Sequence, residues 1–253
     1  MRYCRTDAAH GQSEVMSTRR LNRTLGSRRP GADIKEAVQP KAVRTRELLK
    51  QATRDALNAK GFRSLRVQDV TEQAGVANGL FYRYFQDLGA AVAEVCSAVF
   101  DELLAVTGAL KDFSDPYRWI FDNHRAVVAH FAKNPGVLAC FFGLAGDYRE
   151  FDAIWKRNAH SWNLQVANFL REAAKFAPGP AERMGFVLGA MTEGVIYQEL
   201  IRHTEDLVKL GRKPEDIAEV IAVMWYRAIF LSNPPVNRLH SPGRKLAGLK
   251  ART

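Results

Sequence analysis

The stretch from Val67 to Phe85 constrains this chain more than any other. Val67, Val70 and Ala74 recur at helical spacing, so residues 67–74 read as a short amphipathic helix. Gly75 follows the last periodic residue, where a helix end favours a position that tolerates positive φ. Val76 places one apolar anchor in the turn, and Leu80, Phe81, Tyr84 and Phe85 open a second apolar pattern at spacings of three and four. Two short helices joined by a tight glycine-containing turn form a helix-turn-helix, whose second helix enters the DNA major groove. Asn78, Tyr82 and Arg83 occupy the face left over, and those residue types bond phosphates and base edges.

The wider pattern agrees. Gly61-Phe62, Val67-Gln68-Asp69-Val70, Ala74-Gly75-Val76, Gly79 and Leu80-Phe81-Tyr82-Arg83-Tyr84-Phe85 follow Leu49, Ala52, Ala56 and Leu57 of a preceding helix. Over residues 43–95 the chain resembles the DNA-binding region of tetracycline-repressor (TetR) type regulators. The resemblance implies operator DNA as partner, repression as the predominant mode, and a homodimer closed by a four-helix interface from the last two long helices. On its pattern, Gln68 and Asn78 read base edges, Leu80 touches a thymine methyl, and Arg66, Tyr82 and Arg83 grip phosphates. Gly79 and Tyr84 complete the DNA-contacting set. Three positions depart from the family. Ala77 stands where a capping Ser or Thr is usual, a loss of about 1 kcal/mol unless Asn78 caps from one residue on. Leu88 replaces a phosphate-gripping Lys, and Leu65-Arg66 replaces a Thr pair, so Arg66 is expected to restore a phosphate contact.

Charge is unevenly placed along the 253 residues. Residues 1–110 hold 17 Lys or Arg against 12 Asp or Glu, residues 111–232 hold 15 of each, and residues 233–253 hold five bases and no acid. Positive charge therefore gathers at the reader and the tail, as in a nucleic-acid binder. Residues 1–40 carry many Arg among small polar residues with no apolar period, and are expected to be a disordered basic extension. They lack the apolar core of an export signal, and Met16 offers a second start. A DNA-binding domain over 41–88, a ligand-binding and dimerisation domain over 89–235, and a basic tail over 236–253 complete the expected organisation.

Helical patterns run on through the chain. Residues 42–60 form a first helix with Arg44, Arg46, Lys50 and Arg54 on its outer face, the first two near enough its start to approach phosphates. Further helices are expected from Asp87 to about Leu110, after Asp115-Pro116, over Val137–Leu144, through Phe151 to Phe169, from about Ala181 to Leu207, and from Pro214 to before Asn233. No strand run with a hairpin turn interrupts them, so the fold class is all-α. P-loop, Gly-x-Gly-x-x-Gly, Gly-x-Ser-x-Gly and His-Glu-x-x-His patterns are absent, which argues against an enzyme. Cys4, Cys96 and Cys140 lie far apart without metal-ligand spacing, and His124 and His130 fall on different helix faces, so no metal or cofactor is expected. Three cysteines without an export signal fit a reducing cytoplasm, with Cys140 read as a buried small hydrophobe. No apolar run approaches the ~18 residues of a membrane span.

A reader of some fifty residues does not need so large an apolar body. Dimerisation and ligand binding would use it. The last two helices are apolar on more than one face, which calls for burial against a symmetry mate, with Val220, Met224 and Trp225 on the stripe of the final helix. Phe131, Phe141, Trp155, Trp162, Phe186 and Met191 are the candidate lining of a pocket for a small, largely apolar or aromatic effector. Polar neighbours His124, Asn163 and Glu193 accompany them; Glu193 stands out inside an apolar helix. Together these features point to a ligand-responsive regulator. A DNA-organising protein without a ligand switch, or a helical small-molecule binder with a decayed reader, would share much of this pattern.

Overall fold

The computed structural model describes residues 40–144, 149–208 and 213–248, and all their regular structure is helical. The basic N-terminal extension lies outside the described residues. Helix α1 (Lys41–Lys60) buries Leu49, Ala52, Ala56 and Leu57 and ends at Gly61, whose φ of 70° needs a glycine and whose N–H bonds the Leu57 carbonyl. A 3-10 turn (Phe62–Ser64) leads into α2 (Val67–Ala74). There Asp69, third in the helix, accepts the Arg66 N–H at 2.8 Å, half of a capping box. Gly75 ends α2 in the left-handed region at φ 65°.

Helix α3 (Asn78–Phe81) is only four residues long, continued by turn bonds from Arg83 N to Leu80 O and from Phe85 N to Phe81 O. Phe81 and Phe85 are buried with centroids 5.4 Å apart, fastening this short helix to the core. Asp87 then caps α4 (Leu88–Gly108) by accepting the Ala90 N–H at 2.8 Å. The body follows with α5 (Pro116–Ala132), α6 (Pro135–Leu144), α7 (Arg149–Ala174), α8 (Pro178–Ile196), the single turn α9 (Glu205–Val208) and α10 (Pro214–Phe230). Asp115 and Pro116 open α5 in the expected way, the carboxylate accepting the Arg118 N–H. Packing is mainly pairwise, α5 on α10 and α7 on α8, with α4 lying between α1 and α7. At the junction of α5, α8 and α10, Trp225 Nε1 donates to Thr192 Oγ1 at 3.0 Å, and Thr192 lies 3.2 Å from His124 Nε2. Cys96 and Cys140 are buried, as expected for small hydrophobes, and a thiol–thiol hydrogen bond followed by burial pushes Cys96 well above the ordinary thiol range.

One expectation needs correction. The helix expected over 181–207 is interrupted after Ile196 by a π-turn (Tyr197–Ile201), where Arg202 N reaches back to Tyr197 O, and His203 at φ 50° separates it from α9. Apolar spacing near four cannot distinguish this wider turn from a continuing α-helix.

The tail is folded over its described residues. After a 3-10 turn (Val236–Arg238), α11 (Ser241–Ala247) packs on α10. The anchor is Glu219, 1 % exposed, whose carboxylate accepts the His240 and Gly243 amide N–H groups at 2.6 and 2.9 Å. A carboxylate on one helix thus supplies the cap of another, satisfying otherwise orphaned N-terminal donors. Basic composition hid this, because the partner of the tail lies more than twenty residues upstream. A Cβ on Gly243 would sit 2.8 Å from Glu219 Cδ, so Gly243→Ala should displace α11. Hydrogen exchange of the α11 amides is expected to rise toward unprotected rates in the variant, while the core of α5 stays protected.

Candidate nucleic-acid interface and body cavity

Arg66, Gln68, Asn78, Gly79, Tyr82 and Arg83 are exposed, Leu80 and Tyr84 half-buried. The turn at Gly75 gathers them on the α2–α3 unit. Tyr82 is 60 % exposed, its ring edge-on to the buried Phe81 at 5.5 Å. The hydroxyl is thereby carried on a ring with a fixed base. Arg66 donates to the carbonyls of Arg63 and Leu65 at 3.3 and 3.0 Å, and the exposed Arg63 adds a positive charge beside it. Sequence reasoning overlooked Arg63, whose only signal was its place in the short turn before α2. Lys60, with the Arg66 amide second, holds the Asp69 carboxyl below the usual carboxylate range.

Asn78 behaves differently from expectation. Its amide oxygen accepts a hydrogen bond from the Thr71 hydroxyl, stitching α3 to α2, and no side chain caps α3 at Ala77. The bond to Thr71 takes over the tethering that a capping hydroxyl would give. A bidentate grip on adenine needs both the oxygen and the amide NH2; in this arrangement only the NH2 is free. Gln68 shares its amide with Glu72 at 2.7 Å, an exposed contact that a base edge can displace.

The basic face of α1 is largely committed within the chain. Arg46 pairs with Glu94, donates to the Tyr84 carbonyl at 2.7 Å and lies over the Phe85 ring, 4.6 Å from its centroid. Lys50 pairs with Glu47, and Arg54 with Glu102. Arg46 therefore braces the end of the reading unit against α4 instead of standing free for phosphate.

In the body, α4, α5, α7 and α8 enclose a cavity of about 60 Å³, open on one side. Phe131, Trp155 and Trp162 line it as expected, joined by Phe100. Phe141 stands behind the wall, its ring 4.3 Å from Phe100 and 5.7 Å from Trp155. Met191 is half-buried outside the lining. Phe186 is 65 % exposed, facing away from the cavity on the outer side of α8, which corrects its assignment to the pocket. Helix α8 is apolar around much of its circumference, so periodicity cannot tell its inner face from its outer one.

Polar groups in the cavity wall are few. Glu193 lies there with no hydrogen bond or ion pair among the described residues, and desolvation pushes its carboxyl up to about 7. Asn158 donates its NH2 to the Ile154 carbonyl, which leaves its buried Oδ1 unpartnered; Trp162 Nε1 is likewise buried and unpartnered. Behind Thr192, His124 Nδ1 lies 2.7 Å from the Ile120 carbonyl, and complete burial lowers the ring to about 4, so it is neutral. Among the described residues no cluster of His, Cys, Asp or Glu is arranged to hold a metal ion, and no helix is long and apolar enough to cross a membrane.

Residues 49–87 match the bacterial regulatory proteins of the tetR family. The reading unit is a TetR-family DNA-binding domain. Beyond it, solved structures share the helical arrangement over about three quarters of the chain. A transcriptional regulator from Rhodococcus sp. Rha1 is 19 % identical with a TM-score of 0.63, covering 74 % of this chain and 96 % of its own. A TetR-family regulator from Streptomyces coelicolor is 11 % identical at TM-score 0.61, covering 77 % and 91 %. Another from Syntrophomonas wolfei is 16 % identical at TM-score 0.58, covering 75 % and 97 %. No curated protein matches the chain. The chain thus has the fold of a TetR-family transcriptional regulator, a small TetR-type reader on a larger helical body.

Proposed function

We propose that this chain is a homodimeric regulator of transcription, most simply a repressor, that reads an operator through α2 and α3. Its operator affinity would be set by a small ligand in the body. The observation that carries the DNA reading is the division of α3. Phe81 and Phe85 are buried, while Asn78, Tyr82 and Arg83 project from the same short segment into solvent. Arg66, Tyr82 and Arg83 are assigned to phosphate, and Gln68 and the Asn78 NH2 to base edges. Titrations on operator and random DNA test the assignment. Tyr82→Phe should weaken both similarly, since phosphate contacts carry no sequence information. Asn78→Ala should lower discrimination at one base pair by about 1–3 kcal/mol; an equal effect on both DNAs would sink the base-reading role.

Dimerisation is supported by Phe186, Val187 and Met224, large apolar side chains left exposed on the outer faces of α8 and α10. Trp225 does not belong to that face. It is buried within the chain against His124, 4.4 Å between centroids. One observation favours the second reading, a DNA-organising protein without a switch: the aromatic-lined cavity, at about 60 Å³, falls well short of the ~300 Å³ of a usual ligand pocket, although open grooves of about 660 and 630 Å³ lie elsewhere on the body. An operator affinity unmoved by any small molecule would decide for it. Under the switch reading, ligand binding lowers operator affinity about 5–150-fold and DNA weakens the ligand by the same factor.

A further inference from the structure

The cavity wall has an imbalance that core packing does not explain. Four aromatic rings surround it, yet the same wall holds a half-buried carboxyl group, Glu193, with no counter-ion among the described residues, and a buried amide oxygen with no donor. Glu193 and Asn158 Oδ1 offer acceptor atoms against a single unpartnered donor, Trp162 Nε1, and among the described residues no cationic side chain lines the cavity. An unpaired buried acceptor is costly, and more so when it carries charge. A purely apolar ligand would deepen that cost by shutting Glu193 off from solvent. An anion would be repelled outright. A positive, proton-donating head satisfies the two acceptors, and electron-rich ring faces attract the same charge.

We infer that the cavity takes an organic ammonium ion, its head on the Glu193 carboxylate and against the Trp155 and Trp162 rings. This rests on the ligand-responsive reading and narrows its ligand to one charge class. Size is consistent with it: about 60 Å³ holds roughly two waters' worth of matter at ~30 Å³ each, enough for an ammonium head but not for a whole ring system. The apolar remainder of the ligand lies toward the open side.

Three molecules of equal length and different head charge test this: hexylammonium, 1-hexanol and hexanoate, each titrated into the full chain without DNA. Tryptophan fluorescence and thermal shift read the binding. Hexylammonium should bind at least about tenfold more tightly than 1-hexanol, and hexanoate should not bind. Glu193→Gln should erase the preference for the cation while leaving 1-hexanol affinity unchanged. Trp155→Leu should weaken hexylammonium more than 1-hexanol. Equal binding of cation and alcohol, a preference that survives Glu193→Gln, or no binding of hexylammonium in the millimolar range overturns the inference. Operator titrations run in parallel separate the two levels. Charge-selective binding with an unresponsive operator affinity supports the site and fails the switch. Intact DNA binding with no charge preference overturns the site and leaves the regulator standing.

Discussion

Gly136→Ala is expected to lower the melting temperature by several degrees and to weaken operator binding more than its loss of stability accounts for. The first turn of α6 lies directly on the end of α1. A Cβ at position 136 would fall 2.2 Å from the Leu57 carbonyl oxygen and 2.7 Å from the Asn58 nitrogen. Both are backbone atoms in the last turn of α1, so no side chain can swing away, and the helices must separate. Polar contacts concentrate at the same corner: Gly136 N donates to Asn58 Oδ1 at 2.9 Å, and Arg54 Nε to Asn134 Oδ1 at 2.8 Å. Overpacking costs typically about 1–3 kcal/mol, and backbone-on-backbone overlap belongs at the upper end. For a chain of this size each 1 kcal/mol moves the melting temperature by about 2–4 °C. Because α1 supports α2, separation also tilts the reader. Thermal unfolding and operator titration of the variant check the two effects; a melting temperature within a degree of wild type would mean that α6 and α1 are not in contact.

That corner shows where reading the chain by itself stops. Asn134-Pro135-Gly136 reads as a helix break, which it is, since α6 starts at Pro135. Nothing local says that the glycine is needed for a neighbour nearly eighty residues upstream. The reader was legible for the opposite reason. Val67, Val70, Gly75, Phe81 and Phe85 act within nineteen residues of one another, and local spacing carries their geometry. The pairing of Arg46 with Glu94 was not legible, because Glu94 sits on another helix, out of reach of any pattern on α1. The outward direction of Phe186 was hidden in the same way. The cavity was half legible: aromatic content marked the region, but not which ring faces inward. Glu193 stood out in the chain as a charge among apolar residues, and it stands in the cavity wall with no partner among the described residues.

The exposed face of α8 and α10 is where a single charge should have its largest effect on assembly. Phe186 is 65 % and Met224 42 % exposed in the isolated chain, and Val187 and Leu231 add to the apolar surface. If two copies bury this face against each other, Met224→Arg or Phe186→Arg places an unpaired charge in a desolvated interface. Uncompensated buried charges cost about 3–5 kcal/mol, which multiplies a dimer dissociation constant by a factor of about 150 to about 5,000. Sedimentation of either variant should show monomers at concentrations where wild type is dimeric. Operator affinity should collapse with it, because a monomer offers one half-site reader where the dimer offers two at fixed spacing. The monomer's own fold should hardly change, since both side chains are largely solvated before association. Far-ultraviolet circular dichroism of the variants should therefore keep its helical signal. Val220→Arg makes a poorer test: Val220 is half-buried within the chain, so its charge would disturb fold and interface together. A wild-type chain that sediments as a monomer at micromolar concentration rules the interface out, whatever the variants do.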